Sequence, residues 1–171
     1  MWYPLIYAGP FLLLACTGGR IHWIASILRL PIAIAFLEAV SDRLGFLGAP
    51  GSRGVAWGDF AHFIRYASQV NSFMPRALIP ALAVVATICE ISLGAAMLFG
   101  ICIPAAAIWS AGLLFLFATA MMISGFSQFA YGVYLMAAGA LALSTVDASL
   151  LSVDGALNRR KRKAAPEDVH S

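Results

Sequence analysis

Read along the chain, apolar residues fall into long blocks separated by short polar or turn-rich interruptions. The first block that can form a full membrane-length helix runs from Ile24 to Leu44, with Pro31 near its beginning, where a missing N–H costs least. Gly45 to Gly54 is rich in Gly and Pro and reads as a loop. In the next segment, Val55 to Pro75, Phe60, Phe63, Ile64, Ala67 and Val70 recur at helical spacing, with His62, Arg65, Ser68 and Gln69 off that face. Gly58-Asp59 supplies a cap. That segment is too polar to span; it predicts an amphipathic helix at the membrane interface or over the mouth of a bundle. Leu78 to Phe99, Ile103 to Ile123 and Phe129 to Val146 are three further apolar blocks, divided by Gly100-Ile-Cys-Ile-Pro104 and Ser124-Gly125-Phe126-Ser127-Gln128. Ala107 with Ala111, and Ala138 with Ala142, are small-residue pairs at the spacing that lets membrane helices approach closely. The expected fold is an all-α integral membrane protein: a four-transmembrane-helix antiparallel bundle with an amphipathic helix in its first extracytoplasmic loop.

Composition strengthens this expectation. The chain is 61% hydrophobic and only 11% charged, with a mean hydropathy of +0.86, whereas soluble domains carry roughly a quarter charged residues. Between Glu90 and Asp147 there is no Asp, Glu, Lys, Arg or His. Net charge is +3, and much of it is local, in Arg159-Arg160-Lys161-Arg162-Lys163. Such a run could meet nucleic acid. Directly after apolar spans it reads instead as a cytoplasmic tail beside anionic lipid, and no nucleic-acid partner is expected. A cytoplasmic C-terminus places Arg20 and Arg29 on the cytoplasmic side, with Arg29 snorkelling to headgroups. Residues 45–76 are then extracytoplasmic, despite carrying three arginines. Three parts follow: an apolar extension over residues 1–20, interfacial or partly inserted and lacking a signal peptide's basic region; a membrane domain over 21–150; and a basic tail over 151–171.

Candidate chemistry is sparse. Cys16, Cys89 and Cys102 form no C-x-x-C, and Cys89 lies about 16 Å of helix from the turn before Cys102, too far for a disulfide. Their expected role is as buried small hydrophobes. Glu38, Asp42, Arg43 and Glu90 are the charges that intrude on apolar blocks, and ionisable groups in hydrocarbon face a protein interior or mark function. Glu38 lies about 21 Å along the first span and Glu90 about 14 Å from the end of the second. Glu38 and Asp42 are i and i+4 on one helix face, with Asp42 and Arg43 expected to border the extracytoplasmic mouth. Two readings stand: polar glue between helices, or a hydrated pocket passing protons to a redox ligand. Asp59 and His62, at i and i+3, fall short of the three or four ligands a metal needs, so no metal site is expected.

The order of these segments resembles the DoxX family of small four-helix bacterial membrane proteins. The resemblance rests on Arg29-Leu-Pro, Ala35-Phe-Leu-Glu-Ala-Val-Ser-Asp-Arg-Leu-Gly45, Trp57-Gly-Asp-Phe60, Ala86-Thr-Ile-Cys-Glu90-Ile-Ser-Leu-Gly94, Phe117-Ala-Thr-Ala-Met121 and Ala137-Ala-Gly-Ala-Leu141. It covers about Ile21 to Arg160. It implies a bacterial inner-membrane protein, multi-pass, acting as an accessory or quinone-proximal subunit in a membrane redox or stress-response system. Family members look like subunits of a thiosulfate:quinone oxidoreductase or participants in thiol homeostasis. No cofactor motif is evident in the residues; quinone is the ligand the resemblance implies, with Arg29, Trp57, Asp59 and His62 as candidate contacts, and with the bilayer and redox subunits as partners. A small proton-coupled transporter and a structural assembly protein are the alternatives.

Overall fold

The computed structural model describes residues 22–145. The apolar extension over 1–20 and the basic tail over 151–171 lie outside the described residues. All regular structure among the described residues is helical: α1 (His22–Arg43), α2 (Phe60–Val70), a 3₁₀ turn (Arg76–Leu78), α3 (Ile79–Phe99), α4 (Ile103–Ile123) and α5 (Ser127–Ser144). Pro80 and Pro104 stand in the first turns of α3 and α4, where no N–H is needed. Gly100, at φ 68°, ends α3 in the left-handed conformation that glycine adopts without strain. Pro31 lies inside α1 rather than at its start, so its missing N–H falls within the helical ladder.

Two closely packed pairs form the bundle, α4 with α5 and α1 with α3. The turn at Ser124–Phe126 is too short for anything but an antiparallel return. Small residues bring α4 and α5 together: Ala107, Ser110, Ala111 and Ala118 from one, Ala130, Ala137 and Ala140 from the other, all buried. Ala107 and Ala111 pack as the spacing predicts. On α5 the buried residues are Ala130, Ala137, Gly139, Ala140 and Leu143, while Ala138 is exposed, so the packing stripe does not run through the expected Ala138–Ala142 pair. Between α1 and α3 there is a close approach at Gly94, where a Cβ would meet Leu37 Cδ2 at 3.1 Å and Phe36 Cβ at 3.3 Å. Leu28, Ile32, Phe36, Met97, Leu114 and Leu143 fill the shared core.

Among the described residues, two helices are long and apolar enough to cross a membrane, Arg76–Phe99 and Ile103–Ile123. Only 33% of each span's most apolar window is buried. The remainder turns outward, including Val85, Ile88, Ile108, Trp109, Phe115 and Leu116. An apolar face left outward is what a helix in lipid presents and what a soluble core helix hides.

The amphipathic segment packs much of its apolar face against the protein. Phe63, Ala67 and Val70 of α2 are buried within the protein. Ser124 Oγ donates to Val70 O at 2.6 Å and lies 3.0 Å from Ser72 Oγ, tying the end of α2 to the α4–α5 turn. α2 therefore packs over the end of the bundle, one of the two placements expected.

Candidate functional site

α1 runs antiparallel to α3, with Phe36 and Leu37 beside Gly94 and Arg43 beside Thr87 and Glu90. It therefore stops opposite Thr87, about 12 Å short of the start of α3 at Ile79. The loop after α1 and helix α2 occupy the space above its end. This early stop turns Arg43, expected at the mouth, into an interior residue.

Arg43 is 2% exposed and its guanidinium is engaged throughout. Nε donates to Ala39 O at 3.0 Å, and Nη1 donates to Thr87 Oγ1 at 3.0 Å. Nη2 lies 2.7 Å from Glu90 Oε2, whose side chain is 5% exposed. Thr87 Oγ1 donates in turn to Ala83 O at 2.7 Å, which leaves its lone pairs toward the arginine. The guanidinium carbon sits 3.9 Å from the Phe63 ring centroid and 5.3 Å from that of Trp57. An arginine held by a carboxylate and two aromatic rings is desolvated and compensated at once.

Asp42 points the other way. Oδ2 accepts from Ala56 N at 2.6 Å, and Oδ1 accepts from Trp57 N at 3.0 Å and Gly58 N at 2.7 Å. Gly58 has φ 73°, and a Cβ there would lie 2.4 Å from Pro50 N, so only glycine fits the turn that delivers these donors. Adjacent residues thus brace both sides of the cap, Asp42 the loop and Arg43 the bundle.

The carboxylate cluster is smaller than expected. Asp42, Arg43 and Glu90 are buried, but Glu38 is exposed and does not join Glu90. The buried stripe of α1 passes through Ile32, Phe36 and Val40. Glu38 stands two residues from each of the last two, about 200° round the helix. Asp42 escapes the same fate because the loop folds over it.

Arg29 is 3% exposed and turned into the bundle rather than snorkelling outward. It precedes Arg43 by about 21 Å of helix, so it cannot share a site with Trp57, Asp59 and His62. The four candidate ligand contacts do not form one quinone site.

Three of them do gather around α2. Asp59 Oδ1 accepts from His62 N at 2.7 Å, capping the helix, and lies 2.8 Å from His62 Nδ1. These contacts, led by the His62 backbone N–H, hold the Asp59 carboxyl below its usual range. Beside them lies an open groove of about 310 Å³ lined by Ala56, Trp57, His62, Arg65, Tyr66 and Gln69. Trp57 packs against Phe63 and Tyr66 at 5.1 and 5.4 Å, and Tyr66 against Phe126 at 6.3 Å. Burial raises the Tyr66 phenol above its ordinary value.

Thr87 and Phe63 were not singled out from sequence. Thr87 could have been, since it lies three residues before Glu90 on the same face; the Phe63 contact crosses elements and leaves no local signal. Cys89 is half-buried and Cys102 exposed, both as free thiols, so the buried role expected of Cys102 does not hold. Its place at the α3–α4 turn, with φ 48°, keeps it outside the packing. No group of three or more His, Cys, Asp or Glu able to hold a metal ion occurs among the described residues.

No protein-family model, curated protein or solved structure matches this chain.

Proposed function

We propose that the chain is an integral protein of the bacterial inner membrane, a DoxX-like four-span bundle with a cytoplasmic C-terminus. In this reading it serves as an accessory subunit of a membrane redox or stress-response system, and quinone is handled by its partners. The Arg43–Glu90 ion pair carries this reading: two interior charges are paired across α1 and α3 beneath the α2 cap, as a scaffold requires. The outward apolar faces of α3 and α4 support the membrane setting. Among the described residues, Cys89 and Cys102 are free thiols on different elements, which favours an accessory role over dithiol electron transfer. A proton-coupled carrier gains less support, because Glu38 is exposed while Glu90 is buried against Arg43.

Isolation from native membranes in mild detergent tests the proposal. The expected result is co-purification with an oxidoreductase whose quinone reduction by thiosulfate or small thiols resides in the partner. Glu90→Gln should lower the yield of the complex without changing turnover per complex. A chain that purifies without partners, from fractions with no quinone reduction, would sink the redox role. Stoichiometric quinone on the isolated chain would instead make it a catalytic subunit.

A further inference from the structure

The groove beside α2 is a hollow whose chemistry the scaffold role leaves unused. His62, Arg65, Tyr66 and Gln69 succeed one another at helical spacing on a face of α2 about 120° round the helix from Phe63, Ala67 and Val70. That face therefore presents a guanidinium, an imidazole, a phenol and an amide side by side. No carboxylate lines the groove, and the nearby Asp59 is committed to His62. Arg65 is exposed and forms no ion pair among the described residues. The opposite wall, Ala56 and Trp57, is pinned by its backbone N–H groups on Asp42. That wall is thus set before anything binds, which spares a ligand the cost of ordering it.

We propose that this groove binds a phosphate group, with the Arg65 fork as its charge partner and His62, Tyr66 and Gln69 as further donors. A guanidinium matches phosphate oxygens two at a time, which suits Arg65 to this anion better than to a neutral ring. The phenol of Tyr66, held above its ordinary pKa by burial, keeps its proton to donate. The groove is open, so a headgroup can enter while still attached to its acyl chains. Trp57 and Tyr66 are residue types that favour that interfacial depth. Two sources carry the same chemistry, a phospholipid headgroup and a soluble phosphate ester. The lipid source rests on the membrane reading above; the phosphate chemistry does not.

The test uses the full chain, delipidated in detergent, with two probes: inorganic phosphate, and phosphatidylglycerol in nanodiscs or mixed micelles. Binding of either probe should weaken about tenfold in Arg65→Gln, the usual effect of losing a charged hydrogen-bond partner. Arg53→Gln, on the loop outside the groove, should bind as wild type does. Dependence on Arg65 with phosphatidylglycerol alone assigns the lipid source. The same dependence with inorganic phosphate supports the soluble ester and stands even if the chain proves not to be membrane-embedded. The proposal fails if neither probe binds. It also fails if Arg65→Gln, shown folded by its helical circular dichroism, binds as well as wild type, or if Arg53→Gln loses as much.

Discussion

Arg43 Nη2 lies 2.7 Å from Glu90 Oε2 across the α1–α3 interface, with both side chains shut away from solvent. Removing one partner of a buried pair strands the other charge, at a cost of about 3–5 kcal/mol. Arg43→Gln and Glu90→Gln are each expected to lower unfolding stability in detergent by that order. The double substitution should cost clearly less than their sum. A thermal or denaturant double-mutant cycle measures the difference, and strict additivity would show that the contact carries no energy.

Glu38 is the control carboxylate. Exposed on the far side of α1, its replacement by Gln should leave unfolding stability within about 0.5 kcal/mol of wild type. A loss comparable to that of Glu90→Gln would mean Glu38 has a partner that its exposure does not suggest.

Asp42→Ala should free the loop while leaving the bundle folded. Three backbone N–H groups lose their acceptor, and a cost of about 3 kcal/mol is expected. The measurement is hydrogen exchange, in which the amides of Ala56, Trp57 and Gly58 should lose protection well before those of α4 and α5.

Gly94→Val tests the close approach of α1 and α3. A Cβ alone already crowds Leu37 and Phe36, so a branched side chain should cost about 1–3 kcal/mol through displacement of α1. An unchanged melting temperature would contradict the packing described for this pair.

Asp59 makes the α2 cap sensitive to acid. Its carboxyl titrates lower in the folded protein than in the unfolded chain. The cap therefore contributes fully above the unfolded value, near about pH 4, and its contribution disappears as pH falls through the lowered folded value. Asp59→Asn should remove that acid-dependent loss while remaining a competent cap. Melting temperatures of the two proteins, compared between neutral and acidic pH, should converge as the wild-type carboxyl is protonated.

Much of the fold was legible because apolar blocks of helical length, punctuated by Gly and Pro, leave the backbone little choice. The starts of α3 and α4 follow from Pro80 and Pro104, and the start of α2 from Asp59. The site was legible only in part. Asp42, Arg43 and Glu90 stood out as charges in apolar text, and the structure does bury all three. Their roles did not follow, because a helix face is defined by what packs on it.

The sequence by itself determined the helical character of the described residues, the approximate ends of their helices, and which charges would be costly to leave unpaired. Local propensity and the price of solvating apolar surface are enough for that. Only the tertiary structure decided that Arg43 rather than Glu38 answers Glu90. The reason is where α1 stops against α3: ending well below the start of its neighbour, it carries Arg43 inward and leaves room for α2 to close over it.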